Sequence, residues 1–195
     1  LKAMVEKSDS ITDEDIVERV VEAANRLGYI ASPAASVLAG GQTRTVAIVA
    51  PYATRWYFAT VIEGAEAVLR ENAYDVLLYS LGGDRAARRR VLESHLLGKR
   101  VDGVLIVGIE LTAQERHWLT THAPPLSLVG TAMPGSPSVR IDDSEAARLG
   151  VRHLLSLGHR KIGYVGGSDT EPLDFTTPRA RLASYRDSLV AAGIG

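Results

Sequence analysis

The chain has 195 residues, of which 46% are hydrophobic and 23% charged, with a formal net charge of −1 and no cysteine. This is the composition of an ordinary water-soluble globular protein with room for one sizeable core and a small appendage. It excludes disulfides and thiolate metal sites, offers nucleic acid no global attraction, and contains no apolar run near the roughly 18 residues that a membrane span needs.

The first ten residues, LKAMVEKSDS, lack a basic segment followed by an apolar core, so nothing resembles a secretory signal and a cytoplasmic location is expected. SITDEDIVERVVEAANRLG follows, with Thr12 as a helix cap and Asp15 three residues on. Asp13, Glu14 and Asp15 suit the positive end of the helix dipole. Ile16, Val17, Val20, Val21, Ala24 and Leu27 recur at helical spacing, and Gly28 stops the helix. In the linker Tyr29–Arg44, Ser32 can cap, Pro33 fits a first helical position, and AASVLA completes about two turns. A helix this short is marginal in water, so it forms only when something holds it.

From Thr45 the pattern becomes regular. Strand-like runs stand at 45–50, 75–80, 103–108, 126–129, 138–141 and 161–165, and helical segments at 57–72, 85–98, 112–121, 143–157 and 179–192 lie between most of them. Several of the strands are continuous apolar runs, as when both faces are buried. The alternation predicts an α/β fold, a doubly wound parallel sheet with helices on both faces, with Thr45–Ala50, Val76–Tyr79 and Val104–Val107 central.

Taken together and in this order, SITDEDIVERVVEAANRLGY, SPAASVLAGGQT, TVAIVAPYATRWYFATVIEGAE, KRVDGVLIVG, VRIDDSEAARLGVRHLLSLGHRKIGYVGG and RARLASYRDSL resemble the lactose-repressor (LacI/GalR-type) family of bacterial transcription regulators. The resemblance runs nearly end to end. It implies a partial helix-turn-helix DNA-binding head over 1–29, a hinge over 30–44, the first lobe of a periplasmic-binding-protein-like core over 45–160 and the start of a second lobe from 161 to 195. Against the family pattern, that is a chain truncated at both ends. Paired hinge helices of the family enter the DNA minor groove, where a leucine wedges a base step. Leu38 matches that leucine, and Ser32 and Ala35 share the candidate hinge with it. Residues 1–44 hold five basic and seven acidic side chains, and Ser36 stands where the family usually has an arginine. Operator DNA is therefore expected to bind this chain weakly or not at all.

Ligands of open α/β sheets collect at the carboxyl ends of the strands, where the loop PYATRWYF falls. Relative to the family's usual Pro-Asp-x-Ser-Asn-Pro-Phe-Phe, Tyr52, Arg55 and Trp56 are departures, whereas Thr54, Tyr57 and Phe58 are near matches. Flat rings cover sugar C–H faces and a guanidinium donates to hydroxyls, so Tyr52, Arg55, Trp56 and Tyr57 are candidate effector residues. Core of the following helix is the competing reading, the better one for Phe58 and an alternative for Tyr57, whereas Trp56 reads as pocket rather than core. Arg181 matches the effector-binding arginine of the family's second lobe, and a solvated surface role is its alternative. Asp142 and Asp143 join a strand to a helix, with capping the better reading for Asp143.

Enzymatic readings fare badly. His117 and His122 are five apart and do not share a helical face, and no nucleophile elbow, phosphate loop or dinucleotide fingerprint occurs. No cofactor and no metal are implied. The expectation is a ligand-responsive DNA-binding regulator of repressor type, with operator DNA and a small sugar-like effector as partners and no membrane. A homodimer is expected for the full-length protein, with Val68, Val91 and Leu92 as candidate contacts. So little of a second lobe implies weak sugar binding. The alternative is a periplasmic-type sugar-binding protein without a DNA role.

Overall fold

A computed structural model describes residues 13–28, 42–93, 97–98, 100–167 and 176–194. The candidate hinge with Ser32, Ala35 and Leu38, and the cap at Thr12, lie outside the described residues. The chain divides at Gln42/Thr43 into two units.

The first unit contributes helix α1, Asp13–Arg26, ended by Gly28 at a left-handed φ of 63°. Ile16, Val20 and Leu27, three members of its apolar stripe, are exposed.

In the second unit the elements run β1 (Thr45–Ala50), α2 (Trp56–Glu71), β2 (Asp75–Ser80), α3 (Arg85–Leu92), β3 (Gly103–Val107), α4 (Ala113–His122), β4 (Leu126–Val129), β5 (Ser138–Val139), α5 (Asp143–Ser156) and α6 (Thr176–Ala191). Five strands pair in the order β2-β1-β3-β4-β5, every pair parallel, with Ile48 opposite Leu78 on one side and Leu105 on the other. Successive β1 side chains serve opposite faces. Ala47 and Val49 pack with Ile106, Leu128, Leu92 of α3 and Leu119 of α4. Ile48 and Ala50 pack with Val107, Phe58 and the inner side of α2 at Val61, Ile62, Ala65 and Leu69. Helices thus cover both faces, as the alternation predicts.

Three expectations need correction. β2 is an edge strand, not a central one, with Leu78 40% exposed. An apolar run reports burial by helices as well as by strands, so it does not fix lateral position. Val91 and Leu92 are core residues at 6% and 0% exposure, leaving Val68, at 59%, as the exposed candidate for self-association. Residues 161–165 form no strand and pair with none among the described residues. They are held by α6 instead: Tyr185 donates to the Ile162 carbonyl at 2.7 Å, and its ring tilts against Tyr164 with centroids 5.1 Å apart.

Where the chain enters β1 it is clamped by Asp102, at the start of β3. Oδ1 accepts from the Thr43 amide and hydroxyl, both at 2.8 Å, and Oδ2 from the Arg44 amide at 2.9 Å. Desolvation pushes this carboxyl up, but the Thr43 and Arg44 donors and the Arg44 charge outweigh it and hold it below its ordinary 3.8. The clamp also holds Arg44 at φ 51°, a left-handed conformation uncommon outside glycine, with its guanidinium 5.4 Å from the Tyr74 ring centroid.

Candidate functional site

In this strand order the chain leaves β1 for β2 on one side and later returns to β3 on the other. The loops after β1 and β3 therefore diverge and leave a crevice at the carboxyl edge of the sheet. The β1 loop carries Tyr52 and Arg55, with the guanidinium 3.7 Å from the ring centroid. The first turn of α2 carries Trp56, Tyr57 and Phe58. Phe58 is buried and meets Tyr57 edge-on at 5.2 Å, which makes Phe58 core and leaves Tyr57 partly exposed above it. Gly108, at φ 63°, ends β3 beneath these rings, and a Cβ there would lie 2.7 Å from Phe58 Cε1. Gly130, at φ 74°, ends β4 so close that a Cβ would lie 3.0 Å from the Tyr57 hydroxyl. Two glycines thus let the aromatic turn settle onto the sheet edge.

Beside this turn lies a cleft of about 470 Å³ lined by Glu110, Thr131, Arg140, Asp142, Asp143 and Ala180, among others. It takes one residue type after another from the ends of β3, β4 and β5 and closes on α6. Pro178 sits in the first turn of α6, where its missing N–H costs no helical hydrogen bond, so the helix starts at Thr176, ahead of the expected 179. Two arginines reach from it to the opposite wall. Arg179 Nη2 donates to Glu110 at 3.1 Å, and Arg181 donates from Nε and Nη2 to Asp143 Oδ1 at 2.7 Å. Thr177 Oγ1 donates to the other Asp143 oxygen at 3.0 Å. Ser184 Oγ donates to the Ser144 carbonyl at 2.6 Å.

The β3–α4 loop that presents Glu110 is braced from below. Arg88 of α3 donates to Glu115 Oε1 and Oε2 at 2.6 and 2.8 Å and to the Glu110 carbonyl at 2.5 Å. Both partners are buried. Glu115 also accepts from the Thr112 amide while Thr112 Oγ1 accepts from the Glu115 amide, a reciprocal cap on α4. Burial raises the Glu115 carboxyl, but Arg88 and the Thr112 donors bring it below its ordinary 4.5.

Of the residues singled out in the sequence as effector-binding, none is among the lining residues; Arg181 adjoins the cleft through its ion pair with Asp143, which lines it. Tyr57 touches the Gly130 position on its rim. Tyr52 and Arg55 stack on each other in the neighbouring loop, and Trp56 is 82% exposed outside the lining. The cap of α5 is Asp142, which accepts from the Glu145 amide at 2.9 Å. Asp143, expected to cap, is already the first helical residue, so its carboxylate is free to meet Arg181. Sequence reasoning missed Glu110 and Thr131. Their signal was positional: each follows a short apolar strand at its carboxyl end. Among the described residues no group of three or more His, Asp or Glu is arranged to hold a metal ion, and no helix is long and apolar enough to cross a membrane.

Comparison with known proteins follows this architecture. The family described as periplasmic binding proteins and sugar binding domain of LacI family matches residues 43–194. Catabolite control protein A of Streptococcus mutans serotype c is 33% identical over 184 residues, covering 93% of this chain and 54% of that protein. A LacI family transcriptional regulator from Silicibacter pomeroyi superimposes with a TM-score of 0.77 at 26% identity, over 95% of this chain and 55% of that one. The complex of the transcriptional regulator CelR with cellobiose matches with a TM-score of 0.63 at 25% identity, over 98% of this chain and 57% of that one. The chain spans about half the length of the relatives it matches.

Proposed function

Because this chain belongs to the family of periplasmic binding proteins and LacI-type sugar-binding domains, we propose that it is the effector-sensing part of a DNA-binding transcription regulator of repressor type. In this reading residues 45–160 form the first lobe, 161–195 begin a second, 30–44 are a hinge, and 1–29 belong to a helix-turn-helix head. The cleft at the carboxyl edge of the sheet takes a small, sugar-like effector. Its occupancy changes the hold of α6 on the lobe, and that change reaches DNA through the hinge. The protein acts in the cytoplasm, as a homodimer whose contact includes the exposed Val68.

The observation that carries the reading is the cleft itself. It draws polar side chains from beyond the ends of three strands, with Ala180 of α6 on its far side, at the carboxyl edge where open α/β sheets bind ligands. The relative that holds cellobiose and the family's sugar-binding description support a sugar class. The exposed stripe of α1 supports a head that packs on other helices. The local acidity of residues 1–44 argues that DNA affinity in this chain is weak.

A mobility-shift assay of the full-length protein with promoter DNA at low salt, run with and without sugars, tests the reading. Retardation that changes with a sugar supports it. Sugar binding with no DNA retention at any salt favours the rival, a binding protein without a regulatory role.

A further inference from the structure

The two α6 arginines that reach the cleft wall are already ion-paired. Arg179 and Arg181 come from one helix, two residues apart, and each ends on a carboxylate of the opposite wall. Those carboxylates are fixed by more than their arginines. Arg88 holds the Glu110 backbone, and Thr177 holds the second oxygen of Asp143. The third acid of the lining, Asp142, caps α5 and so sits on the positive end of that helix. Arg140 is in the lining itself, so the three carboxylate charges of the lining are balanced by its charge and by those of the two arginines paired from α6.

Resting on the effector reading above, we infer that Glu110 and Asp143 set the ligand's charge: the cleft takes an uncharged polyhydroxylated molecule and rejects sugar phosphates and sugar acids. A phosphate or carboxylate seated on Arg179 or Arg181 has to displace an anchored carboxylate that stays within the same small space. The displaced group and the ligand then repel each other, and the arginine gains no charge partner that it lacked. A hydroxyl meets no such conflict. It accepts from the guanidinium and donates to the carboxylate at once, so it adds to the pair without breaking it. Two such pairs offer seats to two hydroxyls of one molecule, and Thr131 offers a further donor and acceptor beside them.

The test is isothermal titration calorimetry of the protein at high concentration with a panel of pentoses, hexoses and cellobiose, each compared with its phosphate or aldonate. Glu110→Gln and Asp143→Asn are run in parallel, with circular dichroism to show that each variant is folded. A neutral sugar is expected to bind at least tenfold more tightly than its anionic counterpart. Glu110→Gln, which releases Arg179 at a site 40% exposed, is expected to cut that preference by tenfold or more, and Asp143→Asn to do the same at Arg181. An anionic sugar that outbinds its neutral parent overturns the inference and leaves the effector reading standing. A neutral preference unmoved by both variants overturns the role given to the two carboxylates. Silence from the whole panel overturns the effector reading, and the inference falls with it.

Discussion

Asp102 receives three hydrogen bonds from the two residues that precede β1. Its folded carboxyl titrates below its ordinary 3.8, so its contribution is complete above that pH and is lost as the pH falls through the lower folded value. Asp102→Ala is expected to cost about 2 kcal/mol near neutrality, with the gap from the parent closing in acid; urea titrations across pH measure both, and a gap that widens in acid contradicts the sign. The buried pair behaves differently. Arg88→Met leaves Glu115 charged, buried and unpaired, at a cost of about 3–5 kcal/mol, whereas Arg88→Met with Glu115→Leu recovers most of it. Additive losses in the double variant count against that account. Gly108→Ala places a Cβ against Phe58 at a left-handed φ and is expected to lower stability by about 2 kcal/mol or more, seen as a lower denaturation midpoint. Residues like these explain what the sequence hides. The motif around Arg181 marks its position on α6, but its ion-pair partner Asp143 reads in sequence as a cap. Glu110 belonged to no motif at all, because the groups it meets lie 69 residues downstream on α6.

At the scale of elements, β1, β2 and β4 run over the residues that the apolar pattern marks, since a short apolar run bounded by charged or turn residues is a local signal. What failed was non-local. Nothing in DVLLYS distinguishes an edge strand from a central one, because α-helical cover and a second strand both ask for apolar side chains. Lys161–Val165 has the composition of a strand yet finds no partner strand among the described residues, and strand structure requires one. Helix α1 leaves Ile16, Val20 and Leu27 exposed. With 14 residues it is near the length at which an isolated helix is marginal in water. Its amides are expected to exchange with deuterium far faster than those of β1 and β3, whose core residues reach 0% exposure. Equal protection in α1 and the sheet contradicts this and points to burial of the stripe.

For the whole molecule, the sheet order creates the crevice, two glycines admit the aromatic turn, the Arg88–Glu115 brace presents Glu110, and α6 closes the far side with paired arginines. Each part is explained by its packing, and together they leave one polar cleft between the lobe and α6. The central claim is that this cleft binds a small polyhydroxylated effector. A titration of isotopically labelled protein with neutral sugars, followed by amide chemical shifts, tests it most directly. The account predicts concentration-dependent shifts confined to Gly108–Leu111, Gly130–Thr131, Arg140–Ser144 and the first two turns of α6, abolished by Arg181→Ala. Shifts centred on Trp56 and the outer side of α2, with the cleft amides unmoved, contradict it.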